Sequence, residues 1–333
     1  MSFYTEIKIP ESPYKMDYSK SMMFFGSCFS ENIGQKLIDM KFNVDLNPFG
    51  ILYNPISIAN SLKILLEKRV FTENDLFQDQ GIWNSFYHHS RFSDVDREAA
   101  LEKINGRIVL SRAFLMKADF LMITFGTSWV YELKKTNQVV TNCHKVPSNE
   151  FNRYRLGVLE ITEAYHELIQ ELWKLNPNLK VVFTISPIRH WKDGAVENQV
   201  SKAILLLVAD RLLNEFKDAN CQYFPSYELM MDELRDYRFY AGDMLHLSPV
   251  AIDYIFERFC KAMVSNESMQ VAKDVVKIMK ALLHRPAHSV SDEYRKFLLY
   301  NLGEINKLTI NFPYLNFVNE KKYLEKELTG FQE

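Results

Sequence analysis

The sequence is poor in cysteine, and it lacks the patterns that cysteine forms at metal and redox sites. Its four cysteines, Cys28, Cys143, Cys221 and Cys260, lie far apart in 333 residues. No C-x-x-C pair occurs, which excludes zinc ribbons and thioredoxin-type redox sites. No His and carboxylate cluster has ligand spacing, and neither a P-loop nor a G-x-G-x-x-G motif is present. The sequence therefore predicts no metal and no cofactor.

Net charge and long apolar runs are also missing. The 40 Lys and Arg residues against 42 Asp and Glu residues give a net charge of 40 − 42 = −2. That balance predicts no attraction to nucleic acid or to a membrane surface. No apolar run approaches the roughly 20 residues that cross a bilayer, and the first 15 residues lack a signal-peptide pattern. We therefore expect a soluble, cytoplasmic protein with reduced thiols.

Glycine and proline are scarce, at 11 residues each, and no repeat or low-complexity segment is visible. Long flexible linkers are therefore not expected. The length suits one large α/β domain or a core domain with appendages. Aromatic residues are abundant at 14%. They fill cores and also line clefts that hold sugars or acyl chains, so composition alone does not assign them.

Short apolar runs alternate with amphipathic segments along the chain. Buried strands are predicted at 22–26, 119–126, 180–186 and 221–226. Helices are predicted at 30–41, 56–68, 97–117, 157–175, 196–217 and 247–263. Ser248 is suited to cap the last of these helices and Pro249 to begin it. The alternation predicts a parallel sheet covered on both faces, followed after residue 265 by a Lys-rich helical extension.

Ser27 and Cys28 follow the first predicted strand directly, in the stretch "MMFFGSCFSENIG" (22–34). The carboxyl edge of a parallel sheet is where functional residues gather, and a helix start there favours developing negative charge. Ser27 is therefore a candidate nucleophile, although a helix-capping serine is about ten times more common. Cys28 is a second candidate because a helix N-terminus lowers thiol pKa values, yet most such cysteines only pack.

Asp243 and His246 are three residues apart in the loop "AGDMLHLSP" (241–249). This spacing lets one turn carry both side chains to the same side, so that the carboxylate orients the imidazole as a base. The alternative is an ordinary turn with a solvated histidine. The pair gains weight because a serine early in the chain and an Asp-His pair late in it form a coherent catalytic layout.

Six blocks of the sequence, taken in order, carry a family resemblance. They are "FGSCFSENIG", "NPFGILYNP", "TFGTSWVYE", "NCHKVP", "SPIRHWKDG" and "DMLHLSP". Together they resemble the GSCFA family over about residues 3–265. That family is similar to the SGNH, or GDSL-like, serine hydrolases. The resemblance implies a flavodoxin-like three-layer α/β/α sandwich with a parallel sheet.

The resemblance also implies roles for individual residues. The first SGNH block supplies the nucleophile, which matches Ser27, and its backbone N–H contributes to the oxyanion hole. The second block supplies an oxyanion glycine, which matches Gly50. The last block, D-x-x-H, matches Asp243 and His246.

The third SGNH block, G-x-N-D, is altered in this sequence. It reads Gly126, Thr127, Ser128, Trp129, so Ser128 stands where the family places an oxyanion-donating Asn. Loss of such a donor costs about two to three orders of magnitude in rate. Either Ser128 or Thr127 donates instead, or another group does, for which Asn142 of "TNCHK" is the candidate, or the reaction is slow.

Three further residues are candidates for binding substrate. His144 lies just behind Asn142, and its alternative role is ordinary packing. Arg189 and His190 follow the third predicted strand, so we expect them near the rim of the site. Arg189 could bind a carboxylate or phosphate of a substrate, or it could pair with a nearby carboxylate.

These inferences give two functional hypotheses. The first is an SGNH-type serine hydrolase, an esterase or acyltransferase acting on a small acyl ester that the resemblance implies is carbohydrate-linked. The second is a non-catalytic binding protein on the same scaffold, motivated by the missing Asn. The expected domains are a hydrolase-like domain at 1–265, with an insertion near 51–117, and a helical extension at 266–333. The oligomeric state is left open.

Overall fold

The computed structural model describes residues 4–217, 220–283 and 291–331. Its strands, in chain order, are β1 (Ser21–Gly26), β2 (Asn43–Leu46), β3 (Phe77–Asp79), β4 (Ile82–Asn84), β5 (Phe120–Phe125), β6 (Trp129–Leu133), β7 (Gln138–Val139), β8 (Phe151–Arg155), β9 (Lys180–Ile185) and β10 (Cys221–Tyr223). Its helices are α1 (Cys28–Asp39), α2 (Pro55–Glu67), α3 (Arg97–Leu115), α4 (Val158–Leu175), α5 (Gly194–Glu215), α6 (Ser226–Glu228), α7 (Pro249–Met263), α8 (Asn266–Leu282), α9 (Asp292–Asn311) and α10 (Val318–Thr329).

Five strands form the central sheet in the spatial order β2-β1-β5-β9-β10, and every pair in it is parallel. Counted along the chain among themselves, these strands have the order 2-1-3-4-5 of flavodoxin-like folds. The predicted fold class is confirmed. The four predicted strands are all present. Three of them, β1, β5 and β9, are buried on both faces, which selects continuous apolar sequence.

Alternate residues of each central strand pack into two different layers. Met23 and Phe25 lie in a core with helices α2 to α5, whereas Met22 and Phe24 lie in a core with α1 and α7. This separation follows from the two-residue period of a strand. The sheet is therefore the middle of three layers, and its carboxyl edge is left for loops.

Two small antiparallel sheets lie outside the central one. Strands β3 and β4 form a hairpin, and β6 pairs with both β7 and β8. The sequence does not predict these short strands, and it does not predict strand β2 of the central sheet. It has only four residues, NVDL, and lies at the edge of the central sheet, so it lacks the apolar run that marks the other strands.

The predicted helices are confirmed within a few residues at their ends. Helix α7 begins at Pro249, and the Ser248 hydroxyl accepts the N–H of Ala251 at 3.3 Å, as the cap prediction requires. Helices α8 to α10 confirm the helical C-terminal region, and they share a hydrophobic cluster of their own. The boundary at residue 265 stays a prediction. No helix in the described ranges combines the length and apolarity needed to cross a bilayer.

Candidate active site

A cavity of about 630 Å³ opens at the carboxyl edge of the central sheet. Three chain segments reach it directly from strand ends: Ser27 follows β1, Thr127 comes two residues after β5, and Ser186 follows β9. The order of the strands reverses between β1 and β5, and in open parallel sheets ligands bind at such a reversal. Other lining residues include Cys28, Tyr53, His89, Trp129, Tyr131, Asn142, Cys143, Arg153, Arg189, His190, Lys192, Asp193 and His246.

Ser27 lies at the cavity wall and is also the N-cap of α1. Its Oγ accepts the N–H of Phe29 at 3.3 Å and donates to the Ser186 Oγ at 3.0 Å. The first N–H groups of a helix have no partner within the helix, and the helix dipole is positive there. The capping role and the position expected of a nucleophile are therefore combined in one residue.

Asp243 and His246 form the pair that their spacing predicts. The Asp243 Oδ2 lies 2.5 Å from the His246 Nδ1, and its Oδ1 accepts the backbone N–H groups of Leu245 and His246 at 2.9 Å each. The bond to His246 holds the pKa of the Asp243 carboxyl down at about 2, so the carboxylate is charged at neutral pH. With Nδ1 held in this way, Nε2 is the imidazole nitrogen left for chemistry.

The cavity wall contains both ends of the expected catalytic layout. Ser27 and His246 line the same cavity, although no hydrogen bond joins them in the described structure. Catalytic hydrogen bonds are often long or unformed without substrate. The sequence prediction placed these two residues together, and the structure does so across more than 200 residues of chain.

Cys28 also lines this cavity, next to Ser27. It is half-buried, and its Sγ lies 3.7 Å from the Tyr53 hydroxyl. Burial and the neighbouring Cys28 raise the pKa of Tyr53 well above its usual value, so the phenol stays protonated. The thiol is therefore part of the cavity wall, and its assignment to packing stays a prediction.

Gly50 and Ser128 do not reach the cavity. The Gly50 N–H donates to the Asn47 carbonyl at 2.8 Å, inside a turn. Ser128 is fully buried, and its hydroxyl donates to the Ser201 Oγ on α5 at 3.0 Å. Both groups are thus already bonded within the fold. This geometry does not support the expectation that they donate to an oxyanion.

Asn142 and Thr127 do line the cavity. The Asn142 Oδ1 accepts the backbone N–H of His144 at 2.9 Å, which fixes the amide and leaves its NH₂ group with no bond to the described residues. The Thr127 Oγ1 is engaged with the Ser201 Oγ at 3.1 Å. Asn142 therefore keeps a whole NH₂ group without a partner among the described residues, whereas the Thr127 hydroxyl is already bonded to Ser201.

His144 is a structural residue in this geometry. Its Nε2 lies 2.8 Å from the Ser85 carbonyl oxygen and 3.0 Å from that of His88, and the residue is not part of the cavity wall. The ring therefore ties residues 85–88 to the loop after β7. The candidate role of His144 in binding substrate is not supported, and the alternative of ordinary packing describes it.

Arg189 and His190 reach the rim of the cavity as their position after a strand predicts. His190 packs edge-on against Tyr53, and its backbone N–H donates to the Asn198 Oδ1 at 2.9 Å. Burial lowers the pKa of His190 to about 4, so this imidazole is neutral at pH 7. Arg189 forms no ion pair with any described residue, contrary to the alternative of a nearby carboxylate partner.

Two residues at the base of the cavity, Ser186 and Lys202, are not predicted from the sequence. Ser186 is the acceptor for Ser27, and it follows a buried strand just as Ser27 does, so the same signal was available. Lys202 is fully buried on α5, and its Nζ donates to the carbonyl oxygens of Gly126 at 2.7 Å and Ser186 at 2.6 Å. It lies in phase with the buried Leu205, Val208 and Ala209, a placement that marks a lysine with an internal role.

Lys202 thus joins the loops that follow β5 and β9. Burial, together with the positive charge of Arg189, lowers the pKa of Lys202 to about 7. An ammonium group in this position is costly to bury, and its two carbonyl partners offset part of that cost. The Lys202 amine is thus bonded to Ser186 itself and to Gly126, the residue before Thr127.

Two solved structures share a low overall similarity with the chain. An acetyl xylan esterase from the rumen bacterium Butyrivibrio proteoclasticus has 10% identity and a TM-score of 0.38, over 73% of this chain and 63% of that one. The chain thus spans under two thirds of that esterase. A family 3 carbohydrate esterase from Clostridium thermocellum has 10% identity and a TM-score of 0.35, over 77% of this chain and 98% of that one. No curated protein matches the sequence.

Family models match the chain in two segments. The C-terminal domain model of GSCFA domain proteins matches residues 275–330, which include α9 and α10. The GSCFA family model matches residues 21–259, from the first strand of the central sheet to the last helix packed on it. Because that match spans most of the chain and includes all the residues that bring Ser27 and His246 to one cavity, the protein is a member of the GSCFA family.

Proposed function

We propose that this protein is a serine esterase or acyltransferase that acts on a small acyl ester through an acyl-enzyme on Ser27. The observation that supports the proposal most directly is the shared cavity. Ser27, at the N-terminus of α1, and the Asp243–His246 pair line the same opening at the carboxyl edge of the sheet.

The reaction begins with a change of partner at Ser27. Its hydroxyl, which donates to Ser186, rotates to donate to the His246 Nε2. The Oγ then forms a bond to the acyl carbon while its proton passes to Nε2. Asp243 holds the Nδ1–H and stabilises the imidazolium. When the ester C–O bond breaks, Nε2 returns the proton to the leaving alkoxide.

The acyl-enzyme is resolved by the same groups in reverse. His246 takes a proton from water or from an alcohol such as a sugar hydroxyl, whose oxygen attacks the acyl carbon. The bond from carbon to the Ser27 Oγ breaks, and the serine regains the proton. With water as acceptor the reaction is hydrolysis, and with an alcohol it is acyl transfer.

Donors for the oxyanion come from two places in this proposal. The backbone N–H groups of Ser27 and Cys28, at the positive end of α1, donate to the oxyanion, as the N–H of the first block does in SGNH enzymes. The Asn142 amide supplies the side-chain donor that the altered third block lacks. Aromatic walls from Tyr53, Trp129 and Tyr131 suit the ring of a carbohydrate.

A fluorophosphonate probe tests the nucleophile. The folded wild type is expected to gain one probe mass, detected by intact-mass spectrometry, and peptide mapping is expected to place it on Ser27. Ser27→Ala should gain none, whereas the neighbouring Cys28→Ala should still be labelled. Circular dichroism confirms that each variant is folded.

The same experiment tests the alternative of a non-catalytic binding protein. That alternative is favoured by one observation, the bond from the Ser27 hydroxyl to Ser186 rather than to His246. A folded wild type that takes up no probe would contradict the enzyme proposal. Labelling that persists in Ser27→Ala would move the nucleophile elsewhere. Rapid loss of activity on alkylation of Cys28 by iodoacetamide would assign it to the thiol.

A further inference from the structure

Arg189 presents a positive charge to the cavity without an acidic partner. It lies four residues beyond β9 and lines both the cavity that holds Ser27 and a neighbouring one of about 500 Å³. Its Nε is buried and has no hydrogen-bond partner within the described structure. The terminal N–H groups of the same guanidinium are not buried and form no hydrogen bond with a described residue, so they are free to donate to a ligand in the cavity.

The carboxylates that line these two cavities are already paired with other cations. Asp193 pairs with Arg153, and its side chain is only 4% exposed. Asp243 pairs with His246 at 2.5 Å, and Asp236 lies 3.6 Å from the Arg238 Nε. None of these carboxylates forms an ion pair with Arg189. The guanidinium is therefore a positive group that no described carboxylate neutralises, in the cavity that also holds Ser27.

The surroundings of Arg189 add positive charge. Lys202 lies close enough that the charge of Arg189 lowers its pKa. Lys192 lines the same cavity, and its Nζ donates to the Tyr131 hydroxyl at 2.5 Å. The cationic side of the cavity thus exceeds the acidic side. A neutral ester would gain nothing from this arrangement, whereas an oxyanion would gain a charge-assisted, bidentate hydrogen bond.

We propose that the substrate is an anionic ester, with a carboxylate or phosphate group that Arg189 binds while the ester carbonyl lies at Ser27. The proposal rests on the proposed function for its ester part, and its anion-binding part can be tested separately. Since charge-assisted bonds contribute about 1.5–3 kcal/mol, removal of the guanidinium is expected to weaken anion binding by roughly 10- to 100-fold.

Binding is measured first, with a readout that needs no catalysis. Thermal unfolding of wild type and of Ser27→Ala is followed with added succinate or inorganic phosphate, against chloride at the same ionic strength. Both proteins are expected to show a saturable rise in Tm with at least one of the two anions. Arg189→Met should lose it, and Arg189→Lys, which keeps the charge without the fork, should retain part of it. Arg238→Met removes an exposed, paired arginine and should respond as wild type does.

Substrate preference is measured second. Wild type is expected to favour the mono-4-nitrophenyl ester of succinate over 4-nitrophenyl butyrate in kcat/KM. Arg189→Met should lower kcat/KM for the succinate ester more than for butyrate, which removes the preference, whereas Arg238→Met should keep it. The response to succinate against phosphate identifies which anion the site takes. If one or both anions raise Tm but no fluorophosphonate adduct forms, the anion site stands and the esterase fails.

Two outcomes would overturn the anion site. One is a wild-type Tm that neither anion raises above the chloride control. The other is an equal response in folded Arg189→Met. If neither Arg189 variant folds, phenylglyoxal modification of the wild type replaces them: phosphate or succinate should protect Arg189 in peptide maps, and unprotected modification would count against the site.

Discussion

At Ser27 a single hydroxyl closes a helix cap and faces a cavity. The cap bond comes from Phe29, and the remaining hydrogen points to Ser186 rather than to His246. A helix cap alone would require neither Ser186 nor an Asp-His pair at the same opening. The sequence left Ser27 and Cys28 as two candidates, and both line the cavity, so the choice rests on chemistry rather than on access.

Lys202 gives a test of charge beneath the site. Because burial lowers its pKa to about 7, the folded protein releases this proton near neutrality, while the unfolded chain holds it until about pH 10. Between these values the unfolded state binds more protons, so this residue makes the free energy of unfolding rise with pH. Relative to Lys202→Met, wild type is expected to gain about 1 kcal/mol per pH unit from pH 7 to 9.

Urea unfolding at pH 7, 8 and 9 measures the effect of Lys202. Methionine keeps most of the side-chain volume and cannot titrate. Lys135→Met, at an exposed position in the turn between β6 and β7, serves as the control for the same chemical change. A constant difference between wild type and Lys202→Met would show that Lys202 stays charged in the folded state.

At the scale of elements, the sequence predicts the strands and helices whose burial leaves a clear pattern of apolar residues. Continuous apolar runs identify β1, β5 and β9 because both faces of these strands are covered. The helices are identified by apolar residues at steps of three and four, because each helix buries one face. Short half-exposed strands such as β2 and β7 carry no such run, so only tertiary pairing reveals them.

The candidate site shows the same division. Chain positions after buried strands predict Ser27, Arg189 and His190 at the rim, and local spacing predicts the Asp243–His246 bond. The oxyanion roles expected of Gly50 and Ser128 depend on which donors remain unpaired. Neighbours distant in sequence decide that, such as Ser201 for Ser128. No local pattern carries that information.

Gly50 gives a prediction about a loop element. Its φ is +88°, a left-handed value, and a Cβ there would lie 2.1 Å from the His89 Cβ. Gly50→Ala is expected to cost at least about 3 kcal/mol of stability through backbone strain and overlap. Gly106→Ala is the matched control: it lies within α3 with nothing near its added Cβ, and it should stabilise the protein by up to about 1 kcal/mol.

The same Gly-to-Ala change is thus expected to lower the free energy of unfolding at one position and to raise it at the other. Both variants are measured by urea unfolding at pH 7. His89 lines the cavity, so Gly50→Ala should also slow labelling by the fluorophosphonate probe, whereas Gly106→Ala should leave it unchanged. A Gly50→Ala protein as stable as wild type would show that the loop moves freely away from His89.

At the scale of the whole molecule, a few contacts join the C-terminal helices to the sheet-bearing part. Tyr18 stacks on Phe42 at 4.2 Å between ring centroids and on Tyr314 at 5.2 Å. Lys41, just after α1, pairs with Glu320 of α10 at 2.6 Å, and both side chains are under one-fifth exposed. Residues about 280 positions apart in sequence are thus held together by one partly buried ion pair.

Lys41→Met tests this connection. It would leave the Glu320 carboxylate partly buried without its cation, while its Oε2 already lacks a hydrogen-bond partner. Breaking a pair of this kind from one side is expected to cost about 2 kcal/mol in urea unfolding, less than for a fully buried pair. The double variant Lys41→Met with Glu320→Gln should recover much of the loss, because no unpaired charge remains.

The control is Lys307→Met, which breaks the exposed pair with Glu304 and should change stability by less than about 1 kcal/mol. Equal losses in the single and double variants would show that packing, such as that of the Lys41 chain on Phe317, rather than charge, holds the two parts together.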